Sequence, residues 1–138
     1  MSEQTLPAAL PPIPAAAPTP TRTGRAGRRP PRARVVIADL DAATGQRAAD
    51  EVGGVFRTVD VADEASVNAL FDGVAAELGA VDIAFNNAGI SPADDDSIET
   101  TELPAWGRVQ DVNLKSVYLC SRAALRHMVP AGRGSIIN

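Results

Sequence analysis

From residue 34 onward the chain alternates between two hydrophobic rhythms. Val35-Val36-Ile37-Ala38 is a β-branched run ending in Asp39 and predicts a buried strand. Ala42 to Glu51 suits a short helix, with Asp41 as its cap and Gly53-Gly54 as its stop. Val55 to Val59 predicts the next strand and runs into Asp60-Val61. Asp63 then opens a helix whose Val67, Leu70, Phe71, Val74 and Leu78 recur at helical spacing, and Gly79 closes it. Val81 to Phe85 reads as a third strand, leading into Asn86-Asn87-Ala88-Gly89 and a polar loop with Pro92 and Asp94 to Asp96. A long helix is expected over 102–128, capped by Thr101. Its apolar side comprises Trp106, Val109, Val117, Cys120, Ala124 and Met128, and Pro130 and Gly132 end it. Gly134 to Asn138 starts a further strand. Strands alternating with helices over short connections predict an α/β fold, a parallel sheet flanked by helices.

The first 34 residues follow neither rhythm. They hold eight of the eleven prolines and six arginines against one glutamate, a net charge of +5, whereas the remainder carries −9. Residues 1–33 are therefore expected to be a disordered Pro/Ala/Arg-rich extension, and residues 34–138 the globular domain. Proline removes backbone donors, and alanine and proline bury little surface. The acidic remainder argues against a nucleic-acid-binding domain. No apolar run approaches the length of a membrane span. The single cysteine, Cys120, excludes an internal disulfide framework and fits a reducing compartment, so a cytoplasmic location is expected. With one cysteine and one histidine, His127, no structural zinc site is expected. His127 near a helix C-terminus reads most simply as a dipole interaction, and Asp94 to Asp96 as a solvated loop.

Open α/β sheets bind ligands beyond the carboxyl ends of their strands. Three such ends carry polar or small groups here: Asp39, Asp60-Val61 and Asn87-Ala88-Gly89. A strand-end carboxylate such as Asp39 can accept hydrogen bonds from both hydroxyls of an adenosine ribose, and it would repel a 2′-phosphate, favouring NAD over NADP. On position alone, a solvated loop aspartate is an equally good reading.

The segments RVVIADLD, VDVAD, VDIAFNNAGI, VNLKSVYLCSRAAL and GRGSIIN, in this order and at this spacing, resemble the short-chain dehydrogenase/reductase family, most closely its 3-oxoacyl-carrier-protein-reductase-like branch. The likeness covers about residues 34–138. It implies a Rossmann-type doubly wound sheet and hydride transfer between a nicotinamide and a secondary alcohol or ketone. A homo-oligomer built through the long helix is also implied. Asp39 would hold the adenosine ribose, Asp60 would contact the adenine amino group, and Val61 would lie beside the ring. Asn87, Ala88 and Gly89 would pass under the cofactor ribose, where a small residue lets backbone approach. Asn86 would instead tie its strand to a neighbour. Asn113 matches the family's catalytic asparagine, which orders a water in a proton relay. A helical asparagine bonding a carbonyl or facing water is the plainer reading of the same residue.

The sequence also departs from the family pattern. The family opens with a strand and a TGxxxGxG loop whose backbone amides bind pyrophosphate. The stretch Thr23 to Gly27 echoes that loop superficially, but no apolar strand precedes it and Pro30-Pro31 would break a following helix. The catalytic Ser and the Tyr-x-x-x-Lys pair do not occur within the 138 residues. Tyr118 is followed four positions on by Arg122, and Lys115 is the only lysine. The expectation is therefore a partial domain, incomplete at both ends, whose central strand is missing. It would bind cofactor weakly, turn nothing over and associate readily. Pairing with intact relatives through the long helix 102–128 is the alternative, non-catalytic role. In the family's strand order the missing strand would leave a gap of roughly 9–10 Å, two strand spacings, so that the two halves either close up and pair directly or keep unpaired inner edges.

Overall fold

The computed structural model describes residues 33–138. The proline- and arginine-rich extension and its glycine echo lie outside the described residues. The elements run β1 (Val36–Asp39), α1 (Ala42–Val52), β2 (Val55–Thr58), α2 (Glu64–Leu78), β3 (Ile83–Phe85), α3 (Leu103–Gln110), a π-helical turn (Asp111–Lys115), α4 (Ser116–Ala131) and β4 (Ser135–Ile137). This is the α/β order expected, with every strand pairing parallel.

The sheet is split. Among the described residues β1 pairs only with β2, and β3 only with β4. The register sets Val36 beside Val55 and Asp39 beside Thr58 in one half, and Ile83 beside Ser135 and Phe85 beside Ile137 in the other.

Local chemistry explains the element ends. Asp41 accepts hydrogen bonds from the amides of Ala43 and Thr44 and so satisfies donors that the first turn of α1 leaves free. Asp63 does the same for α2 through the Ser66 amide. Gly53, Gly79 and Gly132 close α1, α2 and α4 in the left-handed region, where a Cβ is penalised. Gly45 has a second role. A Cβ there would lie 2.2 Å from the Phe56 ring, so glycine lets α1 sit directly on β2.

The long helix differs from its expected form. It begins after Glu102, without a side-chain cap, and Pro104 stands in its first turn. Thr101 instead accepts a hydrogen bond from the Asp96 amide inside the preceding loop. Pro130 lies within the last turn, and Gly132 alone makes the stop. The π turn takes up an extra residue and shifts the phase of the helix upstream of it. Ala105 is therefore buried while Trp106 faces outward, 54% exposed. Downstream the expected face holds: Cys120, Ala124 and Met128 are buried.

The two core clusters are built mainly from α2, α4 and residues flanking the strands, with Ala84 of β3. Val59, Val67, Leu119, Cys120 and Ala123 form one cluster, and Val81, Ala84, Ala124 and Met128 the other. Phe71 packs against both, so α2 and α4 join the two clusters. Arg34, just before β1, donates to the carbonyl of Leu78 at the end of α2. Since α2 leads within five residues into β3, strands β1 and β3 start at the same end of the domain. Their carboxyl ends therefore share the opposite end.

Candidate functional site

That shared end gathers the strand-end residues picked out from the sequence. Asp39 is the last residue of β1 and is half-buried. Its Oδ1 accepts the Asp41 amide at 2.9 Å, which fixes the side chain and leaves Oδ2 free to accept more.

Asp60 follows β2 at an exposed position. Its Oδ1 accepts the Ala62 amide at 2.9 Å, and its own amide donates to Ser66 Oγ at 3.0 Å. The turn is thus held by its own polar groups, with one carboxylate oxygen of Asp60 to spare. Val61 is half-buried and packs against the core cluster of Val59 and Val67.

Asn86 acts as a tie. Its amide donates to the Ile137 carbonyl at 2.8 Å, extending the β3–β4 ladder by one bond. Its side-chain nitrogen donates to Ser121 Oγ at 3.1 Å and to Asn138 Oδ1 at 2.7 Å, linking β3 to α4 and β4. Asn87, Ala88 and Gly89 leave this anchor and are all exposed. Gly89 is absent from the positive-φ glycines, and a Cβ there would meet Asn113 Oδ1 at 3.5 Å, an ordinary contact. The protein's own packing does not demand glycine at this position.

Asn113 sits within the π turn and holds the far end of the same loop. Its Oδ1 accepts the Ile90 amide at 2.7 Å, and its Nδ2 donates to the Ile90 carbonyl at 2.8 Å. Both polar atoms of the side chain are committed to one residue's backbone, so the loop 87–90 is clamped at each end, by Asn86 and by Asn113. The bonded carbonyl anticipated for a helical asparagine is Ile90's. Ile90 itself had no sequence signal, because it takes part through its backbone. The π turn had none either.

The other polar residues have structural employment. Asp94 is ion-paired to Arg108, which fastens the acidic loop to α3. His127 Nε2 lies 2.9 Å from Asp72 Oδ1, so its partner is a carboxylate on α2 and not only a helix end. Burial raises the Cys120 thiol above its ordinary pKa, which disfavours the reactive thiolate. No helix among the described residues is long and apolar enough to cross a membrane.

A family model described as Enoyl-(Acyl carrier protein) reductase matches residues 31–138. The chain belongs to the short-chain dehydrogenase/reductase family. Curated relatives agree. The chain is 41% identical over 108 residues to the inactive 2-(S)-hydroxypropyl-CoM dehydrogenase 2 of Xanthobacter autotrophicus, the match covering 77% of this chain and 46% of that protein. It is 42% identical over 111 residues to cis-4-hydroxycyclohexanecarboxylate dehydrogenase of Sinomonas cyclohexanicum, covering 77% and 44%. It is 38% identical over 110 residues to (+)-borneol dehydrogenase 2 of Salvia officinalis, covering 77% and 39%. The chain thus spans less than half the length of these dehydrogenases. Two solved structures share its fold over 75% of the chain. One is described as ribose-5-phosphate isomerase from Brucella melitensis 16M, with TM-score 0.69, 33% identity and 40% of that chain covered. The other is gox2181, with TM-score 0.68, 29% identity and 42% covered. Dehydrogenases of this family use nicotinamide cofactors, and the residues at the strand ends fit the adenosine part of one in donor and acceptor chemistry: two carboxylates with free acceptor sites and an exposed small-residue loop.

Proposed function

We propose that residues 34–138 form the adenosine-binding part of an NAD-dependent oxidoreductase acting on a secondary alcohol or ketone. The observation that carries this reading is the convergence at one end of the domain of Asp39, Asp60 and the loop Asn87–Gly89. The two carboxylates each keep an unused oxygen, and the loop is clamped at both ends by asparagines. Asp39 would accept the ribose hydroxyls, and its charge would repel a 2′-phosphate. Asp60 would accept from the adenine amino group, with Val61 beside the ring. Asn87, Ala88 and Gly89 would lie under the second ribose, where the glycine at 89 gives backbone access that internal packing does not require. Asn113 would hold that loop in place and, as family resemblance implies, order a water of the proton relay.

When bound, the nicotinamide supplies or takes the hydride. Proton transfer calls for the family's Ser, Tyr and Lys, which these 138 residues do not include. The chain alone is therefore a weak nucleotide binder without turnover, working with a small-molecule alcohol or ketone in a reducing cytoplasm only where those groups are supplied. The family's homo-oligomer through the long helix belongs to the same reading.

Titration of the chain with NADH and NADPH, followed by nicotinamide fluorescence and by saturation transfer to the adenine protons, tests the reading. NADH is expected to bind at least tenfold tighter than NADPH, and Asp39→Ser to bring the two within threefold. Equal affinities in the unmodified chain, or no saturation transfer to adenine, would sink it.

One observation favours a second, non-catalytic reading. Leu114, Tyr118, Leu125 and Val129 are all exposed along one side of the long helix, bordering an open groove of about 880 Å³. Such a stripe suits pairing with the same helix of an intact relative. Formation of a defined heterodimer with a full-length homologue, lost on Leu125→Glu with Val129→Glu, would support that role.

A further inference from the structure

The backbone of β2 serves two edges. Val55 donates to the Val35 carbonyl at 2.9 Å and Val59 to the Asp39 carbonyl at 3.1 Å, so 55, 57 and 59 face β1. Successive residues of a strand turn their backbone groups to opposite sides. The amides and carbonyls of Phe56 and Thr58 consequently point to the outer edge. Among the described residues no strand pairs there. A strand edge of this kind is a template for another strand.

This edge is not bare. Arg57 Nη1 donates to the Phe56 carbonyl at 2.9 Å, one of the two outward acceptors. The Phe56 ring lies against Gly45 on the α1 side, so Arg57 leaves the strand on the opposite face and reaches back over the edge. Glu77 of α2 anchors it there: Oε1 accepts Arg57 Nη2 at 2.7 Å, and Oε2 accepts the same nitrogen. The hydrogen bond and charge of Arg57 hold the Glu77 carboxyl below its ordinary value, so the anchor is ionised at neutral pH. The two side chains are 41% and 53% exposed, and an ion pair so exposed contributes little stability. Its placement over the edge is the informative feature.

A second copy of this chain is the occupant that the edge matches. In an antiparallel pairing about a two-fold axis, Phe56 of each strand stands opposite Thr58 of the other, and all four outward groups of each strand are used. Sliding the pairing by two residues either way brings in Gly54 or Asp60. The Gly54 amide is already given to the Ala49 carbonyl at 2.8 Å, and the Asp60 amide to Ser66 Oγ at 3.0 Å. The register centred on residue 57 is therefore the one in which every group is available. It sets Arg57 opposite its own counterpart, with Cα atoms about 4.5 Å apart. Like charges directly opposed destabilise such a pair.

We propose that Arg57, anchored by Glu77, guards the outer edge of β2 against pairing with the same strand of a second copy. It occupies the Phe56 carbonyl and places like charges at the centre of the self-complementary register. A neutral side chain at 57 opens the edge, and the product is an antiparallel dimer joined through β2.

Sedimentation velocity over a concentration series, with amide exchange at each concentration, tests this on the 138-residue chain and on Arg57→Thr, which keeps a good strand former in place. Arg57→Thr is expected to self-associate at least tenfold more tightly than the unmodified chain. Its new, concentration-dependent exchange protection should fall on the amides of Phe56 and Thr58, and the amides of Arg57 and Val59, already given to β1, should change far less. Glu77→Gln keeps the positive charge but loosens the anchor, so its gain should be smaller, about threefold, at the same two amides. If Arg57→Thr does not fold, Glu77→Gln decides on the same readout. Equal association of variant and unmodified chain, a gain without protection at Phe56 and Thr58, or protection of those two amides in the dilute unmodified chain would each overturn the proposal.

Discussion

The helix layer and the strands of this domain are built to different standards. Val67 and Ala124 in α2 and α4 are essentially inaccessible, and Leu119, Cys120, Ala123 and Met128 lie with them inside. Of the strand residues, Ala84 alone is buried. Val55, Ile83, Phe85 and Ile137 are all exposed by two-fifths or more. Parallel strands are normally covered on both faces and paired on both edges. Among the described residues the helices are packed, whereas each strand pairs on one edge only. Stability is therefore concentrated in the helix layer of the described residues. Unpaired edges of this kind also invite association.

The sharpest way to break this contrast is to delete equivalent surface from each side. Met128→Ala removes a side chain buried in the second core cluster and should cost about 2–5 kcal/mol. Ile83→Ala, on an exposed position of β3, should stay within about 0.5 kcal/mol. Urea denaturation followed by circular dichroism measures both, and equal losses would mean that the strands are buried in solution. Calorimetry of the unmodified chain adds a second check. A concentration-independent cooperative transition in a monomer would contradict the association expected of open edges.

Gly45 probes the seating of α1 on β2. Gly45→Ala drives a Cβ into the Phe56 ring and should destabilise by about 1–3 kcal/mol, although alanine is the better helix former. Loss of α1 helicity with α2 and α4 intact would show that the β1–α1–β2 unit unfolds separately. A stabilised variant would mean that α1 is not seated as described.

Most of this framework was legible in the sequence, and the reasons are local. Asp41 and Asp63 are caps because a carboxylate satisfies free amides one turn ahead, and Gly53 and Gly79 are stops because only they take a left-handed φ cheaply. The Asn86 tie was foreseen from the family's motif. What the sequence concealed depends on backbone and on phase. Trp106 was expected inside because an uninterrupted helix was assumed. The π turn at Asp111–Lys115 carries no residue signature and rotates the upstream segment. The Ile90 partner of Asn113 was invisible because a backbone amide and carbonyl are available at almost any residue. The family's strand order left open whether the two halves would pair directly, and their separation among the described residues emerges only from the register.

Asn113 tests whether the candidate site depends on that clamp. Asn113→Ala removes both bonds to Ile90 and should cost about 1–2 kcal/mol, with faster exchange at the Ile90 amide. Asn113→Asp keeps an acceptor for that amide but places a carboxylate against the Ile90 carbonyl, so it should retain the amide's protection in part and loosen the loop. Binding of NADH should weaken in both variants more than global stability does. Unchanged exchange at Ile90 would show that the loop is held by Asn86 alone.

The smallest effect concerns pH. Hydrogen bonds from Thr44, through its amide first and then its hydroxyl, and from the Ala43 amide hold the Asp41 carboxyl below its ordinary value of 3.8. Arg57 holds Glu77 below its ordinary 4.5 through a hydrogen bond and charge. For a group whose pKa is lower in the folded state, the unfolded chain binds protons more readily. Its contribution is therefore complete above the unfolded pKa and fades as the pH falls through the folded one. Stability should accordingly decline below about pH 4, with Asp41 and Glu77 contributing to the slope. Asp41→Asn keeps a capping oxygen and removes the titration, so its stability at neutral pH should change little while its decline in acid becomes shallower. Arg57→Met should act on the same window by returning Glu77 to its ordinary range. Both residues are exposed, so 0.5 M salt should flatten the Arg57–Glu77 contribution and leave the cap at Asp41, which works through hydrogen bonds, largely in place.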